Sequence, residues 1–411
     1  MTTPTSCDVL VIGGGPAGTS TAIALAKQGA DVVLIDRARF PRQKPCAEYL
    51  SPEASRILDS MGALGAVEAT GAARLRGVIV RAPNGAEIRG EFLSDHGYRP
   101  FASRGLSVRR ETLDTVLLDC ARDTGVRVHE GVRATGLRMD GNSVTGADLL
   151  GEKNGGGAVS ARLVVGADGL RSVVSRRLGV ARSARWPKRL ALVSHYANVG
   201  GVTDIAEMHV ERDGFVGIGD VGHGLTTVAL VVPASRAADI SGDATGFLDR
   251  WLMARTHLAP RFQRASRVSP VRVTGPFASQ VKRAWAPGAL LVGDAADFFD
   301  PFTGEGIFAA LRGGEMAADA ARRSFDATNE RGRLEALASY DDARRDAFAG
   351  KWLVERVIAA VVASPWLINR VADALSRRRD LADLLIGVTG DFVPAKEIVN
   401  ARYVLSAFGV F

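Results

Sequence analysis

Gly13, Gly15 and Gly18 stand in G-x-G-x-x-G spacing, with Pro16 and Ala17 between the last two. An acid, Asp36, follows about 20 residues later. Glycines so spaced bring a main chain against a pyrophosphate. Gly13 permits a tight turn, Gly15 leaves room for the phosphates, and Gly18 lets a helix pack closely on a strand. The free N–H groups at the start of that helix then face the anion. A carboxylate at Asp36 can accept hydrogen bonds from ribose hydroxyls and would repel a ribose 2′-phosphate. The spacing therefore predicts a site for FAD or NAD rather than NADP.

Two later segments end a strand in an acid. Val164 to Ser172 reads VVGADGLRS and contains Asp168; Leu290 to Gly306 reads LLVGDAADFFDPFTGEG and contains Gly293-Asp294. In a doubly wound sheet the carboxyl ends of parallel strands open on one crevice, so Asp168 and Asp294 can meet the ligand of the glycine turn. Taken singly, each aspartate also reads as a helix cap. Gly304-x-Gly306 offers further N–H groups at a helix start. That positive end would stabilise a flavin whose N1–C2=O edge becomes anionic on reduction, which argues for FAD.

The elements that must position these residues follow from hydrophobic pattern. Val9 to Ile12 is an apolar, β-branched run too short for a globular helix, as expected of a buried parallel strand. A helical pattern with Ala22, Ile23, Leu25 and Ala26 follows, then Gly29 and a second strand from Asp31 to Ile35. Arg39 to Leu50 is a loop dense in proline and charge. Ser51-Pro52-Glu53 reads as a helix start, and Arg110 to Asp123 as an amphipathic helix. Glu152 to Gly157 reads as a hairpin tip. From Arg189 to about Gly275, short strand-like runs separated by turns replace the α/β rhythm, with a helix near Ala244–Arg255. A long helix is expected from Gly306 to about Arg322, and mostly helix from Leu334 to Phe411. A second G-x-G-x-x-G, at Gly217, Gly219 and Gly222, has no helix after it and reads as coincidence.

The expected class is α/β. A Rossmann-type FAD-binding domain with a parallel sheet takes residues 1–74, 101–182 and 278–330. An inserted antiparallel β-sheet substrate domain takes 75–100 and 183–277, and 331–411 form a C-terminal helical region. A chain of 411 residues supports two or three such cores. The net charge of +7 is compatible with an anionic cofactor or surface. No basic run interleaved with aromatics suggests nucleic acid. Three separated cysteines, Cys7, Cys46 and Cys120, fit a reducing cytoplasm and form no metal pattern with the six histidines. No signal peptide or transmembrane span is read. Lys351 to Leu375 is amphipathic, broken at Pro365, with Arg377 to Arg379 beside it. Core packing is the first reading there and peripheral membrane contact the second.

With these motifs the chain resembles the FAD-dependent oxidoreductases of the p-hydroxybenzoate hydroxylase fold. That group includes single-component aromatic monooxygenases, flavin halogenases and geranylgeranyl reductases. The resemblance covers roughly residues 7–325. Lys44-Pro45-Cys46, Leu50-Ser51-Pro52 and Asp300 to Ile307 bring it nearest to the geranylgeranyl reductase-like branch. The resemblance implies that Gly13, Gly15 and Gly18 hold the pyrophosphate and that Asp36 and Arg37 meet the adenosine. It implies that Lys44 is among the cofactor-binding residues, that Arg110 reaches the phosphate–ribityl side, that Asp294 binds the ribityl chain, and that Pro301, Gly304, Glu305, Gly306 and Ile307 line the flavin ring. It associates Asp168 with FAD and a transient NAD(P)H. The paired tryptophans of flavin halogenases are absent; Gly214 to Asp220 occupies that stretch.

Cys46, Glu48 and Tyr49 are the candidate catalytic residues, Glu48 or Tyr49 for positioning substrate or passing a proton. His195, Tyr196, Met208 and Phe215 are the candidate substrate contacts, and strand alternation keeps His195 and Tyr196 on opposite faces. The expected function is an FAD-dependent, NAD(P)H-using oxidoreductase of a hydrophobic or aromatic small molecule. A monooxygenase working through a flavin C4a-hydroperoxide is preferred. Reduction of double bonds in a polyprenyl lipid is the alternative, and an electron-carrying flavoprotein the third reading.

Overall fold

The computed structural model describes residues 5–93, 96–151, 155–183 and 186–409. Residues 152–154 of the expected hairpin tip lie outside them. The strand Ser6–Ile12 forms where an unbroken apolar run can be covered on both faces, and Val9, Leu10 and Val11 are fully buried. It pairs in parallel with Val32–Asp36 on one side and with Gly155–Gly166 on the other. Arg127–Glu130 and Ala289–Leu291 extend the parallel arrangement at the two edges. The hairpin strands Val132–Asp140 and Ser143–Gly151 join the sheet antiparallel.

The helices Pro16–Lys27 and Gly306–Asp326 pack against each other over this sheet. Their small faces make close approach possible. A methyl on Gly314 would sit 2.7 Å from the Ser20 side chain, and the Ser20 hydroxyl donates to the Leu311 carbonyl at 2.8 Å. The helix Arg110–Asp123 packs beside them. The helix Pro52–Met61 starts as the sequence predicts, with the Ser51 hydroxyl accepting from the Ala54 N–H.

A second large sheet holds Arg189–Ala197, Ile205–Glu211, Gly214–Asp220 and Leu225–Pro233. It is antiparallel except where Ile205–Glu211 runs parallel to Gly77–Arg81, which brings in the hairpin strand Glu87–Glu91. One face packs under the helix Ala244–Met253 through Leu192, Tyr196, Val216 and Trp251. The other faces the C-terminal helices Glu330–Val362, Pro365–Leu375 and Arg379–Thr389 through Val193, Phe215, Val231, Val354 and Ile368. Tyr49–Leu50, Ala73–Leu75 and Gly105–Ser107 form a separate three-stranded sheet. No single helix among the described residues is long and apolar enough to cross a membrane. Glu330–Val362 and Pro365–Leu375 pass that test only as a pair bent by 109°.

Candidate active site

The parallel strands end together at Ile12, Asp36, Gly166 and Leu291, and the site is built on those ends. Gly13 turns the chain with φ +114°, and a methyl there would lie 2.3 Å from the Ala167 carbonyl oxygen. A methyl on Gly18 would lie 1.8 Å from the Gly13 carbonyl oxygen. Gly15 differs. A methyl there meets only the guanidinium ends of Arg42 and Arg110, 3.5 and 3.7 Å away. The helix start at Pro16 has no side-chain cap, so its free N–H groups and two arginines surround the Gly15 main chain.

Arg110 is buried and donates two bonds of 2.9 Å to Asp114, and Arg42 reaches the same carboxylate at 3.0 Å. Asp36 is buried and accepts from the N–H groups of Gly14 and Ala38, each at 2.8 Å. Its carboxylate therefore braces the turn with one lone pair of each oxygen and keeps the others. Arg37 is exposed. Arg42 was not among the residues expected at this site. Only folding of the Arg39–Leu50 loop over Asp114 reveals it.

From Gly15 a cavity of about 260 Å³ runs between the two large sheets. Lys44, Cys46, Glu48, Tyr49, Arg110 and Asp294 line its first part. Lys44 and Asp294 pair at 3.2 Å. Gly293, at φ +61°, lets the main chain come within 2.8 Å of Ala17, measured from where its methyl would be. The segment Pro301 to Ile307 lines the middle of the cavity, and the helix beginning at Gly306 has no side-chain cap. The Tyr49 ring lies beside Gly304, and its buried hydroxyl has no hydrogen-bond partner. Burial, with Glu305 nearby, holds that hydroxyl protonated far above the ordinary range.

Asp168 is placed differently from the expectation. One carboxyl oxygen accepts from the Val173 N–H at 2.6 Å and caps the short helix Val173–Arg177. Its neighbours Ala167, Gly169 and Leu170 line the cavity in its stead. Burial raises the Asp168 pKa, and its second oxygen has no partner.

The far part of the cavity is apolar. Val193, Met208, Phe215 and Val231 form its roof, and Phe298, Phe302 and Phe308 its floor. Met208 and Phe215 thus lie where substrate contacts were expected. His195 shares their face of the sheet but reaches a smaller neighbouring pocket. Tyr196 does not reach the cavity, which corrects its expected role. Alternation turns it to the outer face, where Arg267 donates to its hydroxyl at 3.2 Å.

One wall comes from the C-terminal helix Glu330–Val362, whose inward face carries Arg344, Phe348, Lys351, Trp352 and Glu355. These residues were missed because nothing local marks that amphipathic face as a cavity wall. Arg344 pairs with Asp297, and Lys351 with Asp391 and with Glu305. Glu355 has no close ion pair among the described residues, and the Lys351 charge only partly offsets its burial. Burial, then the nearby carboxylates Glu305 and Asp297, push its pKa well above the usual carboxylate range. Burial also raises Glu305.

The features test well for FAD. An open glycine turn beside two arginines suits a pyrophosphate, the uncapped start at Gly306 suits the electron-rich edge of a flavin, and the orphan Tyr49 hydroxyl faces the same segment. The model of an FAD binding domain family matches residues 6–351. The chain belongs to that family of FAD-dependent oxidoreductases, with FAD as cofactor and NAD(P)H as the family's usual reductant. It is 29% identical over 405 residues to digeranylgeranylglycerophospholipid reductase 2 of Methanopyrus kandleri, covering 96% of each chain. It is 30% identical over 350 residues to menaquinone reductase of Mycobacterium tuberculosis, covering 78% of this chain and 77% of that one. The myxobacterial chondrochloren halogenase has the same fold, with TM-score 0.81 at 23% identity over 88% of this chain and 84% of that one.

Proposed function

We propose that the protein reduces a carbon–carbon double bond in a hydrophobic, isoprenoid-like molecule, with NAD(P)H as the source of electrons. The observation that carries this is the apolar half of the cavity, where Val193, Met208, Phe215 and Val231 face the segment from Pro301 to Ile307. Bound FAD supplies hydride chemistry. The chain's own residues hold the cofactor by its phosphates at Gly15, Arg42 and Arg110, set the ring at Pro301 to Ile307, and keep water from the reacting carbons. Two relatives named as reductases of lipid-soluble isoprenoids support this reading over the oxygen transfer preferred from sequence.

Oxygen transfer to an aromatic ring is the second reading, favoured by the floor of Phe298, Phe302 and Phe308. Turnover of menaquinone or a geranylgeranyl lipid under 18O2 separates the two. A product that stays two mass units heavier than the substrate after any quinol is reoxidised to quinone, without 18O, supports reduction of a double bond, and 18O in the product sinks it. Contact with a membrane surface belongs to the same proposal. Leu353, Val357 and Trp366 are exposed on adjoining C-terminal helices. Co-sedimentation with lipid vesicles is expected, weakened by Trp366→Ser; equal partitioning of the two proteins would remove this part.

A further inference from the structure

Glu48 combines an unusual backbone conformation, a buried carboxyl and a place in the cavity wall. It lies in the first part of the cavity wall, yet its φ is +66°, uncommon for a side chain of its size. Its carbonyl oxygen accepts from the Val108 N–H at 3.2 Å, and three further contacts hold it there. Its N–H donates to the Cys46 Sγ at 3.3 Å, Oε1 accepts from the Arg110 N–H at 2.9 Å, and Oε2 lies 2.7 Å from His195 Nε2. Strain of this kind persists where the surroundings over-determine it, and it concentrates at working sites.

His195 continues the chain away from the cavity. Its Nδ1 lies 3.0 Å from the Ser269 hydroxyl, and its main-chain N–H donates to the same oxygen at 2.9 Å. With the ring neutral and Glu48 a carboxylate, Nε2–H donates to Glu48 and the Ser269 O–H donates to Nδ1. Ser269 lies in the surface segment with exposed Val268 and Pro270. A pocket of about 20 Å³, room for a single water, adjoins His195, Ser269 and Glu48, and its rim carries exposed Gln43 and Arg272. The charged groups nearby are engaged elsewhere: Arg110 with Asp114, Lys44 with Asp294, Arg272 with Gln43, and Glu111 with Arg109.

We infer that Ser269, His195 and Glu48 form a proton path from solvent to the cavity, serving the reaction proposed above, on which this inference rests. Saturating a double bond places a hydride on one carbon and needs a proton on the other. The Glu48 carboxylate takes the Nε2 proton of His195 on Oε2 and delivers it to that carbon, becoming a carboxylate again. Nδ1 of His195 takes the Ser269 hydroxyl proton and Ser269 takes one from water, so one proton enters for each that leaves. Return of the ring proton from Nδ1 to Nε2 resets the path. Glu48 is then a catalytic residue, and His195 and Ser269 act through it.

The test follows that proton. Protein reduced with one equivalent of NADPH without oxygen is mixed with a geranylgeranyl lipid in dilute buffer near neutral pH, and proton uptake is read with phenol red. Wild-type protein that takes up no proton on mixing would overturn the reduction proposed above rather than the path. His195→Gln keeps a donor toward Glu48 but cannot carry a proton. It should retain its FAD and visible spectrum while uptake slows about 100-fold. His195→Ala should be equally slow and should recover on addition of imidazole, which a merely structural role would not allow. Uptake at the wild-type rate in His195→Gln, or no recovery with imidazole, overturns the path. Wild-type protein that binds no FAD would instead overturn the flavin reading itself, before any proton is measured.

Discussion

Two glycines in one turn make opposite predictions. Gly18→Ala forces a methyl to within 1.8 Å of the Gly13 carbonyl oxygen, so the folded protein should lose about 3 kcal/mol or more. Gly15→Ala adds a methyl at ordinary contact distance from Arg42, where only a ligand would be displaced. Its thermal stability without FAD should match wild type, and FAD affinity should fall about tenfold, or about 1.4 kcal/mol. Isothermal titration and melting curves on both variants check this; equal FAD affinity in Gly15→Ala would contradict the cradle.

Glu355 gives a pH prediction. A carboxyl whose folded pKa is raised above its ordinary 4.5 stabilises the fold less as pH rises through that window, because the buried group must ionise or hold its proton against solvent. Glu355→Gln should therefore melt higher than wild type at pH 8, by about 1 kcal/mol. The difference should shrink toward pH 4.5. A constant or reversed difference across that range would show that Glu355 is not held protonated.

The glycine turn and the strand ends that carry Asp36 and Asp294 were legible because their geometry is local to a strand–turn–helix unit. Arg42, His195 with Glu48, and Glu355 were not. Their meaning lies in which loop or helix folds over which strand, and no spacing along the chain records that.

At the scale of elements, the C-terminal helices are part of the site and not an appendage. They seat on the hairpin strand Glu87–Glu91 through Gly90, where a methyl would lie 2.5 Å from the Ile386 side chain and 2.6 Å from the Ala382 carbonyl oxygen. Gly90→Ala should cost about 1–3 kcal/mol in a denaturant melt. If stability is unchanged, the helix Arg379–Thr389 is not docked there. The long helices and the parallel strands could be read from sequence, since apolar runs and 3.6-residue periodicity announce them. The helix from Gly306 continues to Asp326, slightly past the expected end. The one parallel pairing in the substrate sheet could not be read. Neither Gly77–Arg81 nor Ile205–Glu211 carries a local sign of strand direction, and their pairing joins segments far apart along the chain.

At the scale of the whole molecule, two sheets with their helices enclose a cavity that is polar at Gly15 and apolar beneath Phe215. That polarity gradient matches a cofactor held by its phosphates, with its reactive ring reaching a hydrophobic substrate. The fold admits reduction, oxygen transfer and halogenation among its members, so the site alone must choose between them. An anaerobic single turnover decides this most directly. The protein's flavin is first reduced with one equivalent of NADPH in the absence of oxygen, then mixed with menaquinone or a geranylgeranyl lipid, and its absorbance is followed. The account predicts that the oxidised flavin spectrum returns without oxygen and that the product is saturated at one double bond. A flavin that stays reduced until oxygen is admitted, then yields an oxygenated product, would contradict it.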